Sequence, residues 1–380
     1  MKNTAYRFAF TTGAILIGII LILFFTFLGK KGKGPLEDFF TEMGTTVTDL
    51  ENSILLSNRE PVRAKALSWF NSYRINKKLI TNPDTILLGI FDNHYKSSFD
   101  HMLALEDSLQ LSLPIIQLYT AWGDKPEERF PIKYAKAIDN LGSVPFITWE
   151  PWLNDFDRKE LGLKYKDDPN KNGLTDIING DYNFYIDKWA SDVKAFGKTV
   201  FIRFGHEMND PYRYPWGPQN NKPGDFIAAW KYVVERFRAQ DVHNVVWIWS
   251  PHPAYKMYND YYPGDNYVDW VGVGALNYGT VALWSKWWSF DEIFGDYYDQ
   301  LAAFNKPIVI TEFGSLAVGG ERYMWYEQAL SDLPEKYPML KSILFYNNDN
   351  DNTTLNKSLV WSLNSDTLTI NAVKRTIHSW

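Results

Sequence analysis

From Thr85 onward, short apolar runs recur along the chain with room for a helix between most of them. They are Ile86–Phe91, Ile115–Tyr119, Pro145–Trp149, Val200–Phe204, Val245–Trp249, Trp270–Gly274, Ile308–Thr311 and Ser342–Tyr346. Each is nearly continuous in apolar character instead of alternating, as a strand covered on both faces requires. Amphipathic stretches such as Tyr182–Phe196 and Phe226–Ala239 separate them, and only the gap between the fifth and sixth runs reads as loop. Strands that alternate with helices form a parallel sheet, and eight of them close into a (β/α)₈ barrel. No internal repeat or low-complexity tract competes with this reading.

Two of these runs end on a glutamate. Thr199–Phe204 leads into Gly205-His206-Glu207-Met208-Asn209, and Pro307–Ile310 leads into Thr311-Glu312-Phe313-Gly314. The C-terminal tip of a barrel strand is where this fold keeps its chemistry. Two carboxyls from different strands are the minimum equipment for cleaving a glycosidic bond with retention. One must be protonated near neutral pH and the other ionised, a split that mutual repulsion and unequal surroundings maintain. The adjacent pair His206-Glu207 also suggests a zinc protease, but that motif needs a second histidine four residues after the first. Asp210 stands there and Pro211 follows, so no metal is expected at this segment.

Composition narrows the function further. The net charge is −6 with no basic cluster in the folded region, which argues against a nucleic-acid partner. Cysteine is absent, which excludes disulfides and thiolate chemistry. Aromatic residues make up 17% of the chain, including 16 Trp. Such rings pair a large apolar face with a polar edge, as carbohydrate clefts require. The loop Leu283-Trp284-Ser285-Lys286-Trp287-Trp288 is unusually aromatic and reads as a further sugar platform, a lid or a packing surface.

Residues 8–28 contain no charge and are long enough to cross a bilayer core as a helix. No small-residue cleavage signal follows, so an uncleaved membrane anchor is expected. Lys2 and Arg7 before the span nearly balance Lys30, Lys31 and Lys33 after it, so charge does not orient it. The expected organisation is an anchor over 1–29, a linker over 30–35, a helical extension over 36–84 and a barrel over 85–380. A barrel acting on polysaccharide belongs on the non-cytoplasmic side.

The segments FIRFGHEMNDPYRYPWG (201–217), NVVWIWSPH (244–252), YYPGDNYVDWVGVGALNYG (261–279) and PIVITEFGS (307–315) resemble glycoside hydrolase family 26. That family contains β-mannanases and some mixed-linkage β-glucanases, and the likeness covers roughly residues 85–350. It implies a retaining mechanism without a cofactor, with Glu207 as acid/base and Glu312 as nucleophile. It further implies that His206 contacts the sugar or orients Glu207, that Trp216 stacks near the cleavage point, and that Tyr278 hydrogen-bonds the nucleophile. Arg203 is expected in the same pocket, holding Glu312 ionised, and Trp149 is expected to line the cleft. Mannanases of the family commonly place a tryptophan after strand eight. Here that stretch reads Phe345-Tyr346-Asn347-Asn348-Asp349-Asn350, with Tyr346 in its stead.

The resulting expectation is an endo-β-glycanase acting on β-1,4-mannan, with a β-glucan as the alternative substrate. A non-hydrolytic polysaccharide-binding protein has no need for both glutamates. A metal- or serine-dependent deacetylase would want a clustered triad, which the six scattered histidines do not show.

Overall fold

The computed structural model describes residues 52–281, 286–353 and 358–380, together with Gly18. The chain divides into two compact units, Met1–Leu55 and Leu56–Trp380, and the described residues lie almost wholly in the second. Among the described residues no helix is long and apolar enough to cross a membrane. Apart from Gly18, the anchor expected over 8–28 falls outside the described residues.

Eight parallel strands close into a barrel in sequential order. They are β1 (Leu87–Asp92), β2 (Ile115–Ala121), β3 (Val144–Glu150), β4 (Val200–Phe204), β5 (Val245–Trp249), β6 (Trp270–Asn277), β7 (Ile308–Ser315) and β8 (Leu340–Asn347). The seam is made by β1 and β8, which pair from Leu87↔Ser342 to Asp92↔Asn347. Gly89 makes that closure possible. A Cβ there would lie 2.3 Å from Leu344 Cδ2 and 2.8 Å from the Ile115 carbonyl oxygen, so only glycine admits both neighbours.

The main covering helices are α1 (Asp100–Leu109), α2 (Ile132–Asn140), α3 (Asn183–Phe196), α4 (Pro223–Ala239), α5 (Asp296–Ala302), α6 (Arg322–Ser331) and α7 (Thr367–Ile377). Between β5 and β6 only two short turns form, a 3₁₀ turn at Pro253–Tyr255 and an α turn at Tyr258–Tyr261, in keeping with the loop-like sequence there. Helices α3 and α4 show why the rest cover the sheet. Their buried positions recur three or four apart, as at Ile186, Trp189, Ala190 and Val193, and at Phe226, Ala229, Trp230, Val233 and Val234.

The barrel floor is apolar and is completed from outside the sheet. Leu87, Ile115, Phe146, Phe201, Trp270, Val309 and Leu344 meet Leu67, Phe70 and Ile80 in one buried cluster. The last three come from the segment before β1, where residues 56–66 are helical and short helices follow at Asn71–Ile75 and Lys77–Ile80. This segment therefore seals the mouth opposite the site, and each large side chain buried there contributes about 1.5–3 kcal/mol.

Arg63 fastens the plug. Its guanidinium is buried, forms an ion pair with buried Glu106 on α1, and donates to the Leu113 and Leu141 carbonyls (3.1 and 2.9 Å) and to Ser143 Oγ (2.7 Å). Glu106 also accepts from the Leu113 amide at 2.7 Å. Burial pushes the Glu106 carboxyl upward, opposed by the charge and hydrogen bond of Arg63. Arg63→Ala should cost about 3–5 kcal/mol, because it strands a buried carboxyl without its cation. Denaturant unfolding would check this, and a loss under 1 kcal/mol would show that the plug is held by apolar contact alone.

Candidate active site

Arg203 sits on the lumen side of β4, buried directly above the apolar floor. Its donors are nearly all engaged. Nε donates to Thr148 Oγ1 on β3 (3.0 Å), Nη1 to Thr311 Oγ1 on β7 (2.5 Å), and Nη2 to Tyr119 Oη on β2 (3.2 Å) and Glu312 Oε1 (2.7 Å). Tyr119 in turn donates to the same Glu312 oxygen at 2.7 Å. One guanidinium thus ties four strands to one carboxylate.

Glu312 reaches the lumen because β7 is irregular. The β6–β7 register shifts between Val273 and Gly274, so that Gly274 faces Glu312 where Thr311 would be expected. With Thr311 and Glu312 both bound to Arg203, two consecutive side chains address the lumen, which regular alternation forbids and a bulge permits. Burial works to raise the Glu312 carboxyl. The charge and hydrogen bond of Arg203, with the hydrogen bond of Tyr119, outweigh it and hold the group below the usual range. Glu312 is ionised.

Glu207 lies three residues beyond β4 in a turn. Its φ is +52° and that of Gly205 is +50°, a conformation that is costly for any residue with a side chain. The turn is held from β5 and its loop. Glu207 N donates to the Ser250 carbonyl (2.7 Å), while Asn209 Nδ2 donates to the His252 and Lys256 carbonyls (both 2.9 Å) and Asn209 Oδ1 accepts from His252 N (2.7 Å). Glu207 Oε2 is buried with no hydrogen-bond partner among the described residues, and Arg213 Nη1 lies 3.9 Å from it. Burial, followed by the negative charge of Glu312, raises its pKa to about 7, with the Arg213 and Arg203 charges opposing. The Glu207 and Glu312 side chains keep 11% and 16% of their surface exposed.

Other expected residues fall in two groups. His206 is buried next to Glu207, with Nε2 2.9 Å from Tyr214 Oη and Nδ1 unpartnered among the described residues. Burial and the nearby positive charges of Arg203 and Arg213 hold it well below its ordinary pKa, so the imidazole is neutral. Trp216 is buried too. Its Nε1 donates to the His206 carbonyl at 2.6 Å and its ring stacks on Tyr214 at 4.7 Å. It braces the turn and offers no free face for a sugar; partly exposed Trp152, edge-on to it at 5.3 Å, takes the rim position.

Trp149 does not line the cleft. Alternation along β3 sends Thr148 into the lumen, so Trp149 points outward and is buried against α3, stacked on Trp189 at 4.4 Å. Tyr278 stands just past β6, edge-on to Trp361 at 5.0 Å, but the tyrosine that donates to Glu312 is Tyr119. Trp287 and Trp288 are partly exposed beyond β6, and Trp284 lies outside the described residues.

Sequence reasoning missed Tyr119, Glu150 and Arg213. Tyr119 and Glu150 had a usable signal, since each ends an apolar run on the lumen parity. Glu150 accepts from Trp152 Nε1 at 3.2 Å, lies 3.9 Å from His206 Nε2, and is raised to about 7, chiefly by burial.

Two groups of described residues bring three ligand atoms within 4.8 Å of one another, Glu207–Asp210–His252 and His94–His101–Asp349. A cation at the first would hold Glu207 ionised and remove its capacity to give a proton. The second brings two of the six histidines, His94 and His101, together with one carboxylate.

Residues 164–372 match the family described as Glycosyl hydrolase family 26. The chain belongs to that family. It is 33% identical over 253 residues to Endoglucanase H of Acetivibrio thermocellus, a match covering 64% of this chain and 25% of that protein. It is 28% identical over 193 residues to a mannan endo-1,4-beta-mannosidase of Bacillus subtilis, covering 46% of this chain and 49% of the relative. The chain thus spans a quarter to a half of these relatives' length. Among solved structures, the family 26 beta-mannanase BoMan26A of Bacteroides ovatus superposes with a TM-score of 0.57 at 16% identity, covering 79% of this chain and 90% of that one. The Bacillus subtilis mannanase BCman gives 0.54 at 21% identity, covering 71% and 82%. At these identities the likeness establishes the barrel.

The opposed shifts of the two glutamates set the pH response. Activity that needs Glu207 protonated and Glu312 ionised should fall with a limb near pH 7 as pH rises, and its acid limb should lie below the usual carboxylate range. Arg213→Ala removes a charge that favours ionised Glu207, so the basic limb should move upward. A pH profile of kcat/KM checks both, and a downward move would show that another group sets that limb.

Proposed function

We propose that this chain is a retaining endo-β-glycanase, with Glu207 as acid/base and Glu312 as nucleophile. The observation that carries the reading is the asymmetry of the pair. Arg203 and Tyr119 hold Glu312 as a carboxylate, while the burial of Glu207 keeps it protonated to about 7. In the first step a Glu312 oxygen attacks the anomeric carbon, and the bond to the leaving oxygen breaks as Glu207 gives it a proton. The glycosyl ester so formed removes the negative charge that helped raise Glu207. Its pKa then falls, and the ionised carboxylate can take a proton from water as that water's oxygen displaces Glu312.

The substrate reading is β-1,4-mannan, in line with the mannosidase relatives. Two observations favour a β-glucan as the second reading. The likeness to Endoglucanase H is higher and longer than that to the mannosidases. The position after β8 carries no tryptophan, and Tyr346 lies stacked on Phe91 at 5.3 Å. With Trp149 and Trp216 buried, rim platforms fall to Trp152, Trp287 and Trp288, each stacked sugar being worth on the order of 1 kcal/mol. The reading also tethers the barrel through residues 8–28 on the non-cytoplasmic face, supported by that uncharged run. Protease added to intact cells should then reach the barrel.

Glu312→Ala should abolish turnover in a folded protein. Glu207→Ala should slow glycosides with poor leaving groups by about 10²–10⁴-fold while sparing activated aryl glycosides, which leave without a proton. Retention also calls for carboxyls about 5–5.5 Å apart. Product analysis on mannan, mixed-linkage glucan, xylan and cellulose decides the substrate, with oligosaccharides expected early. An active Glu312→Ala enzyme would sink the mechanism, and monosaccharide as the sole early product would sink the endo assignment.

A further inference from the structure

The seam that closes the barrel carries a cluster which glycoside cleavage does not use. His94 follows β1, His101 opens α1 and Asp349 follows β8. Each offers one ligand atom, and the three atoms lie within 4.8 Å of one another. All three side chains are partly exposed, so an ion can enter from solvent. The two imidazole rings lie with centroids 4.4 Å apart and their planes tilted by 40°. His94 Nε2 is 2.8 Å from Asp349 Oδ2.

What lies behind these three residues is more telling than their proximity. Asp92, which is buried, places Oδ2 2.7 Å from Nδ1 of His101, and is itself fixed by Asn347 Nδ2 at 2.6 Å. Asn93 Nδ2 donates to the other oxygen of Asp349, Oδ1, at 2.9 Å. A buried carboxylate behind one imidazole and an amide behind the carboxylate are the outer contacts that orient metal ligands. A simple surface ion pair needs neither.

We propose that His94, His101 and Asp349 form a binding site for a divalent transition ion such as zinc. Two imidazoles and one carboxylate suit that class, whereas calcium takes six to eight oxygens and magnesium prefers oxygen and water. Three protein ligands leave the fourth tetrahedral position to water. With bonds of about 2.0–2.2 Å, tetrahedral ligand atoms stand roughly 3.4 Å apart, so His94 and Asp349 need part only slightly from their 2.8 Å contact. The bound ion replaces the proton that joins them.

The site's position gives it a role. His94 and Asp349 are separated by 255 residues and sit on the loops that extend the first and last strands. A cation there clips the two ends of the sheet together at the catalytic mouth, and a ligand that binds only the closed barrel stabilises it by mass action. Neither Glu207 nor Glu312 belongs to the cluster, so the site stands independently of the glycanase reading.

The test uses the full-length chain, stripped with a chelator, dialysed and titrated with zinc chloride by calorimetry. One zinc per chain should bind at micromolar concentration or tighter, and saturation should raise the thermal unfolding midpoint by several degrees. His94→Ala and Asp349→Asn should each abolish the binding, and Asp92→Asn should weaken it by about 10–100-fold through the outer contact. His243→Ala, at an exposed histidine paired only with Asp241 in the described structure, should leave it unchanged. Should a variant fail to fold, the zinc absorption-edge spectrum of the unaltered protein decides, with two imidazoles and only nitrogen and oxygen ligands expected. No binding below millimolar zinc, binding that survives both ligand substitutions, or a spectrum with fewer than two imidazoles would overturn the proposal.

Discussion

One buried positive charge organises this molecule. The Arg203 guanidinium stands at the boundary between the apolar barrel floor and the catalytic mouth, reaching Thr148, Tyr119, Thr311 and Glu312 on three other strands. A lone guanidinium in a barrel lumen would be prohibitively costly; this one is tolerated because its donors are met and a carboxylate answers its charge. The same bond that makes Arg203 affordable keeps Glu312 ionised. Fold and chemistry therefore share a single interaction.

The second carboxyl is governed by the opposite condition. Glu207 lies on a turn with positive φ, with one oxygen buried and unpartnered among the described residues and Arg213 no closer than 3.9 Å. Poor solvation of the charged form and repulsion from Glu312 keep its proton on. The turn is a strained conformation that Asn209, Ser250 and the Trp216–His206 contact hold in place. Much of the aromatic excess serves this purpose. Tyr214, Trp216 and His206 form a wall behind the turn, and Trp122, Trp149 and Trp189 form another between sheet and helices.

The barrel is closed below as firmly as it is open above. Leu67, Phe70 and Ile80 complete the floor, and Arg63 pins their segment to Glu106 and to the carbonyls of Leu113 and Leu141. The stretch before β1 is in this sense part of the barrel's core. At the opposite mouth, the seam between β1 and β8 gathers Asp92, His94, His101, Asn347 and Asp349 from the two ends of the sheet.

The sequence alone determined the strand count, the order of the strands and the two glutamates. Those features are local: continuous apolar runs mark strands buried on both faces, and a glutamate at the end of such a run marks the mouth. The resemblance to the family added the expectation that Arg203 shares the pocket of Glu312. Tertiary structure decided what depends on facing direction and on distant chain. The parity of β3 turned Trp149 outward, and the bulge in β7 brought Glu312 to the lumen beside Thr311. Tyr119, from β2, took the contact to Glu312 expected of Tyr278, and Trp216 became a brace with no face left to offer. The His94–His101–Asp349 cluster was likewise invisible, because the pairing of β1 with β8 that creates it joins residues 255 apart, and no local pattern encodes such a distance.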